Sequence, residues 1–72
     1  MEKYYFVYSV DAVTVYGEQE TAGMIIDHTE LADTISHFQA SGAAVCGVFL
    51  TMYDGQGHEI KTRDISRLVA NN

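Results

Sequence analysis

The chain has 72 residues, of which 47% are hydrophobic and 19% are charged, and it contains no proline. A chain of this size makes one domain, residues 1–72, because small domains bury only about 60% of the surface that their unfolded form exposes. Two independent cores and folds built on a long βαβ series, such as a dinucleotide-binding domain, are therefore excluded. Four basic side chains against ten acidic ones give a formal net charge of −6.

The basic residues are confined to the two ends of the sequence. No Lys or Arg occurs from residue 4 to residue 60, an interval that contains eight acidic residues. Direct binding to DNA, RNA or an anionic membrane depends on clustered Lys and Arg side chains. The distribution therefore argues against these partners and predicts a negative field that favours a basic protein.

The cysteine content bears on the compartment. Cys46 is the single cysteine, and secreted domains of this size usually depend on disulfides, so we expect a cytoplasmic protein. The N-terminal sequence lacks a basic region followed by an apolar stretch, which predicts no signal peptide. The longest uncharged run, residues 34–53, is too polar to span a bilayer.

The first third of the chain reads as strands. Residues 3–10 are aromatic and β-branched, and both alternating sets are apolar, which indicates a central strand or one covered by a partner chain. Residues 13–16 read as strand again, either as the second arm of a hairpin or as a continuation of one long bent strand. Residues 17–23 are polar with a glycine at each end and are predicted to form a loop. Residues 24–26 are predicted to form a short strand.

The clearest helix signal begins at Asp27. Asp27 and Glu30 fit a capping box, with Thr29 as the alternative N-cap. Apolar residues then recur at the spacing of one helix face: Leu31, Ile35 and Phe38. Gly42 suits a left-handed C-terminal end. Three polar residues lie off the apolar stripe, toward solvent: Glu30, Asp33 and His37.

The second half predicts a hairpin and a short helix. Residues 43–53 are apolar on both faces and read as a central strand, residues 54–57 as a tight turn, and residues 58–62 as the return strand with Ile60 inward. Asp64 is predicted to cap a helix over residues 65–70 that packs through Ile65, Leu68 and Val69. The order of elements predicts an α+β fold: a small antiparallel sheet of three to five strands, one main helix on one face and a short C-terminal helix.

No residue pattern predicts catalysis, a cofactor or a metal. His37 follows Asp33 by four residues and could form a metal site with Glu30, but a solvated helix face is the favoured interpretation. Whether His28 or His58 binds a metal is left open. Cys46 lies within an apolar segment and is predicted to be a buried structural thiol. We therefore expect a protein that is not an enzyme.

The predicted binding residues are acidic and aromatic. Five carboxylates of the base-free interval are expected to contact a partner: Glu18, Glu20, Asp27, Glu30 and Asp33. Tyr4 and Tyr8 join them because tyrosine is enriched at protein interfaces. The alternative is that the tyrosine rings simply cover an exposed sheet face.

Two functional hypotheses follow. The first is a non-enzymatic interaction module, a small inhibitor that docks on the basic, nucleic-acid-binding surface of another protein, as phage-encoded antidefence proteins do. This analogy rests on size and charge alone. The alternative is a structural homo-oligomer that buries its second sheet face or pairs edge strands into a continuous sheet, or a small-ligand or metal-binding domain, without an inhibitory role. A homodimer is compatible with both hypotheses and is expected.

Overall fold

A computed structural model describes residues 3–70, with side chains described as far as Leu68. Its elements are, in chain order, β1 (Tyr4–Val13), β2 (Gln19–Ile25), α1 (His28–Ala40), β3 (Ala44–Asp54), β4 (Glu59–Asp64) and α2 (Ser66–Ala70). The strands form one antiparallel sheet in the order β2-β1-β3-β4. The predicted α+β fold is thus confirmed. The predicted packing of Val69 lies outside the described side chains.

The two strands that are apolar on both faces, β1 and β3, are the central strands of the sheet, as predicted. Val10 lies opposite Val48 on the face toward α1, and both are buried in the core. Val7 lies opposite Thr51 on the other face, because successive residues of a strand alternate between faces. We call this other side the helix-free face. From the central strands it carries Tyr5, Val7, Ser9, Phe49, Thr51 and Tyr53.

Local signals define both ends of α1. The Asp27 carboxylate accepts a hydrogen bond from the backbone N–H of Thr29 at 2.6 Å, which confirms Asp27 as the N-cap. At the other end Gly42 has φ 85°, and the N–H of Ala43 donates to the carbonyl of Phe38, as in a Schellman motif. The predicted stripe faces the sheet, with Leu31 and Phe38 buried and Ile35 partly buried against the core.

The helix covers only part of the sheet. α1 has 13 residues, about 20 Å of helix, whereas the protein measures 45 × 24 × 18 Å. β2 pairs with residues 8–13 of β1, and β4 pairs with residues 49–53 of β3. The sheet therefore continues beyond α1 as a projecting ribbon, made of residues 4–7, residues 51–54 and β4.

The predictions for residues 14–16 and residues 19–23 were wrong, whereas Val13 is strand and residues 17–18 lie in a loop, as predicted. Val13 ends β1, residues 14–18 form the turn, and the polar segment predicted as a loop is largely strand β2. β2 is an edge strand, and most of its side chains are exposed. Main-chain pairing with β1 therefore holds it in place, and core contact is limited to Ala22 and Ile25.

The predicted burial of Cys46 was also wrong. The pairing of β1 with β3 skips a residue between Asp11, opposite Gly47, and Ala12, opposite Val45. A bulge of this kind turns a neighbouring side chain to the other face. Val45 takes the place against the core, while Cys46 is exposed with its Sγ 3.4 Å from the carbonyl oxygen of Asp11.

Two further side chains lie elsewhere than predicted. Ile60, expected to point inward, is exposed at an irregularity in the pairing of β3 with β4. Ile65, the residue before α2, is buried, but Leu68 within α2 is 75% exposed. The Asp64 carboxylate accepts a hydrogen bond from the N–H of Ser66 at 2.9 Å, so the predicted cap of this helix is confirmed.

Candidate protein-interaction surface

All five predicted acidic residues are exposed, and we call them the acidic surface: Glu18, Glu20, Asp27, Glu30 and Asp33. Glu18 lies in the β1–β2 turn, and Glu20 lies on β2 opposite Ala12, hence on the face that carries α1. The remaining three belong to the N-cap and the first half of α1. The set therefore surrounds the helix layer.

The carboxylates form two groups. The turn between β1 and β2 adjoins the C-terminal end of α1, since a Cβ atom on Gly42 would lie 2.9 Å from Cγ1 of Val15. Glu18 and Glu20 are thus about one helix length, roughly 20 Å, from Asp27. Across residues 3–70 no three His, Cys, Asp or Glu side chains come together as metal ligands would. The carboxylates therefore distribute negative charge over the surface and do not form a metal-binding site.

The acidic surface is not neutralised within the described part of the chain. Over residues 3–70 the ion pair that the structure shows joins His58 Nδ1 to Asp54 Oδ2 at 3.4 Å, in the β3–β4 turn. Asp27 and Glu30 also have a structural role, because negative charge in the first turn of a helix interacts favourably with the helix dipole. Asp33 lies beyond this turn, where the interaction of a side-chain charge with the helix dipole is weak.

The structure separates the two predicted tyrosines from each other. Tyr8 is half-buried beside α1, with its hydroxyl 3.3 Å from Nδ1 of His28 and its ring centroid 5.5 Å from that of the histidine. Tyr4 is exposed on the projecting ribbon, away from the acidic surface. Tyr8 therefore lies near Asp27 at the start of α1, because it contacts the adjacent residue His28, whereas Tyr4 lies apart from the carboxylates.

The basic residues gather at the other end of the sheet. Lys61 and Arg63 line a groove of about 260 Å³ on the helix side of the projecting ribbon, above Phe6, Leu50 and Met52. On the helix side the protein is thus polarised, with carboxylates around α1 and the cations Lys61 and Arg63 on β4, whose other two charged residues, Glu59 and Asp64, are acidic. Sequence reasoning missed this groove because it depends on the register of β4 against β3.

The helix-free face is a second apolar surface. Tyr5 lies opposite Tyr53, and the ring of Phe49 covers Gly47, where an added Cβ would lie 2.8 Å from the phenyl Cε2. Val7 and Thr51, each 7% exposed, lie at the centre of this face. The hydroxyl of Thr51 is 3.1 Å from that of Thr62 on β4, so its polar atom is satisfied within the sheet.

Two carboxyl groups have shifted acidities, and both shifts have structural causes. Backbone N–H groups of His58 and Gln56 lower the pKa of Asp54. The pKa of Asp64 is lowered by hydrogen bonds from the side chain and backbone of Ser66. Asp54 belongs to a turn and Asp64 caps a helix, so neither pKa shift requires a catalytic role.

Comparison with known proteins finds no matching family, no matching curated protein and no matching solved structure. Neither helix within residues 3–70 has the length and apolar character that crossing a bilayer requires. A functional assignment therefore depends on the geometry and charge described above.

Proposed function

We propose that this protein is a non-enzymatic cytoplasmic module that docks its acidic surface on a basic surface of another protein. The form that we favour is a small inhibitor that occupies a nucleic-acid-binding groove, as phage-encoded antidefence proteins do. The observation that carries the proposal is the acidic surface itself: five exposed carboxylates around α1, with no Lys or Arg among residues 4–60.

Complementary charge supports this kind of docking physically. Opposite potentials steer two proteins together and raise the association rate, and they penalise partners of like charge. Nucleic-acid-binding grooves present Lys and Arg to phosphates, and carboxylates can meet the same groups. Asp33 and Glu30 lie three residues apart on a helix, so they share one exposed side of α1.

A rigid support adds to the proposal. α1 is capped at both ends and packed on the sheet through Leu31 and Phe38. Carboxylates on such a helix lose less freedom on binding than carboxylates on a mobile loop would, because ordering an interface opposes association.

The first experiment is affinity capture from lysate of the source cell or its natural host, with elution at low and then high salt and identification by mass spectrometry. A stoichiometric basic partner that leaves with salt supports the proposal. The purified partner should then bind nucleic acid less well when this protein is added. Absence of any such competition would count against the inhibitor.

Charge reversal locates the docking surface. We expect Asp33→Lys to weaken binding of the captured partner by about tenfold, or about 1.4 kcal/mol, and Glu30→Lys to act in the same direction. Glu59→Lys makes the same change of charge on β4, outside the acidic surface, and should leave the affinity nearly unchanged. Equal losses from Asp33→Lys and Glu59→Lys would assign the effect to net charge alone and contradict a specific surface.

A further inference from the structure

We propose that two copies of this protein form a symmetric dimer through their helix-free faces, with the β1 strands of the two copies antiparallel. In this arrangement Lys3 of each copy faces Asp11 of the other. The dimer uses the side of the sheet opposite to α1, so it does not depend on the docking role of the acidic surface.

The helix-free face has the composition of an interface centre. Its middle is formed by Val7 and Thr51, and aromatic rings surround them: Tyr5, Phe49 and Tyr53. Tyr5 remains 54% exposed. Tyrosine and phenylalanine are enriched in the buried centre of interfaces, where charged residues are depleted. The charged residues of this face lie at its ends and along β4: Lys3, Asp11, Glu59 and Asp64.

The area of the face suits a second copy. The four strands contain 34 residues, and at about 3.3 Å along and 4.8 Å between strands they cover roughly 540 Å². Two such faces together bury about 1,100 Å², which passes the roughly 1,000 Å² expected of a specific interface. Aligned packing of two sheets is also a standard solution for an apolar sheet face.

Charge complementarity sets the register. Lys3 and Asp11 lie four residues before and four residues after Val7, so alternation along the strand places all three on one face. Lys3 is the residue before β1, so this placement extends the alternation by one residue, and the cleft that Lys3 lines contains both Tyr5 of this face and Tyr4 of the other. A twofold axis that crosses the strands at Val7 brings Lys3 of one copy over Asp11 of the other, twice per dimer. The parallel orientation does not bring these charges together.

The remaining surface explains why a second copy meets this face. Each chain carries a net charge of −6, and two chains repel each other when like charges are brought close. The acidic surface around α1 is therefore the least suitable for self-association. The helix-free face is apolar at its centre, its carboxylates Asp11, Glu59 and Asp64 lie at the periphery, and Lys3 offers Asp11 of the second copy an opposite charge. The dimer also keeps both acidic surfaces on the outside.

A matched pair of variants tests the face. Tyr5 and Phe6 are adjacent on β1, 54% and 55% exposed, and lie on opposite faces. Sedimentation analysis across micromolar dilution should show a dimer for the wild type and for Phe6→Lys. Tyr5→Lys should weaken the dimer by about tenfold or more. Ile60→Lys, in the cleft beside Tyr5, provides a second variant of the same kind should Tyr5→Lys not fold.

Zero-length cross-linking tests the register. Within one copy, Lys3 and Asp11 are eight residue steps apart along the strand, about 26 Å, so a carbodiimide bond between them can form only between copies. We expect a cross-linked dimer whose digest contains the Lys3–Asp11 peptide pair. The double exchange Lys3→Glu with Asp11→Lys should restore a dimer that each single change weakens.

Three results would overturn the proposal: a wild-type monomer at high micromolar concentration, a dimer lost in Phe6→Lys but kept in Tyr5→Lys, or a dimer without the Lys3–Asp11 cross-link. Partner binding by Asp33→Lys is measured separately. A failed dimer therefore leaves the docking hypothesis standing, and a failed docking surface leaves the dimer standing.

Discussion

Thr14 and Asp54 hold the same position in the two hairpin turns of the sheet. Each is the first residue of its turn, and its backbone N–H donates to the carbonyl four residues later, at 2.8 Å for Thr14 and 3.0 Å for Asp54. A glycine in the left-handed region follows three residues later, Gly17 with φ 79° and Gly57 with φ 85°. The β1–β2 and β3–β4 hairpins are thus closed by one turn design.

The two turns differ in the side-chain acceptor. The Thr14 hydroxyl accepts from two backbone N–H groups at 3.2 Å each, whereas the Asp54 carboxylate accepts from the corresponding groups at 2.8 and 2.9 Å. A charged acceptor makes the shorter and stronger bonds. This difference gives the β3–β4 turn a dependence on pH.

Lowering the pH should destabilise the protein through Asp54. The N–H groups of His58 and Gln56 hold the pKa of Asp54 below its ordinary value of 3.8, so the folded state favours the ionised carboxyl. The resulting stability is present above pH 3.8 and is lost as the pH falls through the lower pKa of the folded state. Urea unfolding at a series of pH values should show a smaller acid-induced loss for Asp54→Asn, whose amide oxygen still accepts hydrogen bonds.

Asp64 provides a second, separate contribution of the same sign. Ser66 lowers the pKa of Asp64, so Asp64→Asn should also flatten the pH dependence, and the two changes together should flatten it further. Identical acid-induced losses in the wild type and the double variant would show that neither hydrogen-bonded carboxylate governs acid stability.

Cys46 should react with a thiol reagent in the folded protein. The bulge between β1 and β3 exposes its side chain, and exposure is one of the factors that control thiol reactivity. Titration with an aromatic disulfide in native buffer should modify one thiol per chain, at a rate comparable to that in denaturant. Reaction only after unfolding would restore the original expectation of a buried thiol. The Cys46→Ser variant, which has no thiol, is the negative control.

The elements that were predictable from sequence are those whose signals are local. Asp27, Gly42 and the stripe between them define α1 without reference to the sheet. The doubly apolar segments at residues 3–10 and 43–53 indicate central strands, since only a covered strand keeps both faces apolar. The five carboxylates were also correctly expected at the surface, because residues 4–60 contain no Lys or Arg that could pair with them in the interior.

The features that were missed depend on partners in space. β2 has too few apolar residues to read as a strand, and it is held by main-chain pairing to β1. The exposure of Cys46 follows from one extra residue in the pairing register, which places Val45 instead of Cys46 against the core. The sequence did contain one signal for the β1–β2 hairpin. Gly17 comes after β1 as Gly57 comes after β3, in the hairpin that was correctly predicted.

Phe38 should be the most costly residue of α1 to truncate. Its side chain is buried in the core, and its carbonyl accepts hydrogen bonds from the C-terminal cap of the helix. We expect Phe38→Ala to lower the free energy of unfolding by about 3–5 kcal/mol, as measured by urea denaturation. Phe38→Leu should lower the free energy of unfolding by less, so it can still be measured if the alanine variant does not fold. Gln39→Ala, an exposed neighbour, should change stability by less than about 0.5 kcal/mol.

Gly42 should tolerate substitution less well than Gly57. Both have φ 85°, a backbone conformation that costs a residue with a Cβ about 1–2 kcal/mol. A Cβ on Gly57 meets nothing within 4 Å, whereas a Cβ on Gly42 would lie 2.9 Å from Cγ1 of Val15. Gly57→Ala thus reports the backbone cost alone, and Gly42→Ala reports that cost plus the contact with the β1–β2 turn.

A double-mutant cycle separates these two contributions to Gly42→Ala. Val15→Ala removes the methyl group that the new Cβ would meet, so the loss caused by Gly42→Ala should shrink toward that of Gly57→Ala in the Val15→Ala background. Val15 is exposed, so its own truncation should cost little and the cycle stays easy to measure by thermal unfolding. If Gly42→Ala lowers the stability equally with and without Val15→Ala, its whole cost arises from the backbone conformation of the helix C-cap. The β1–β2 turn then moves enough to accommodate the added methyl group.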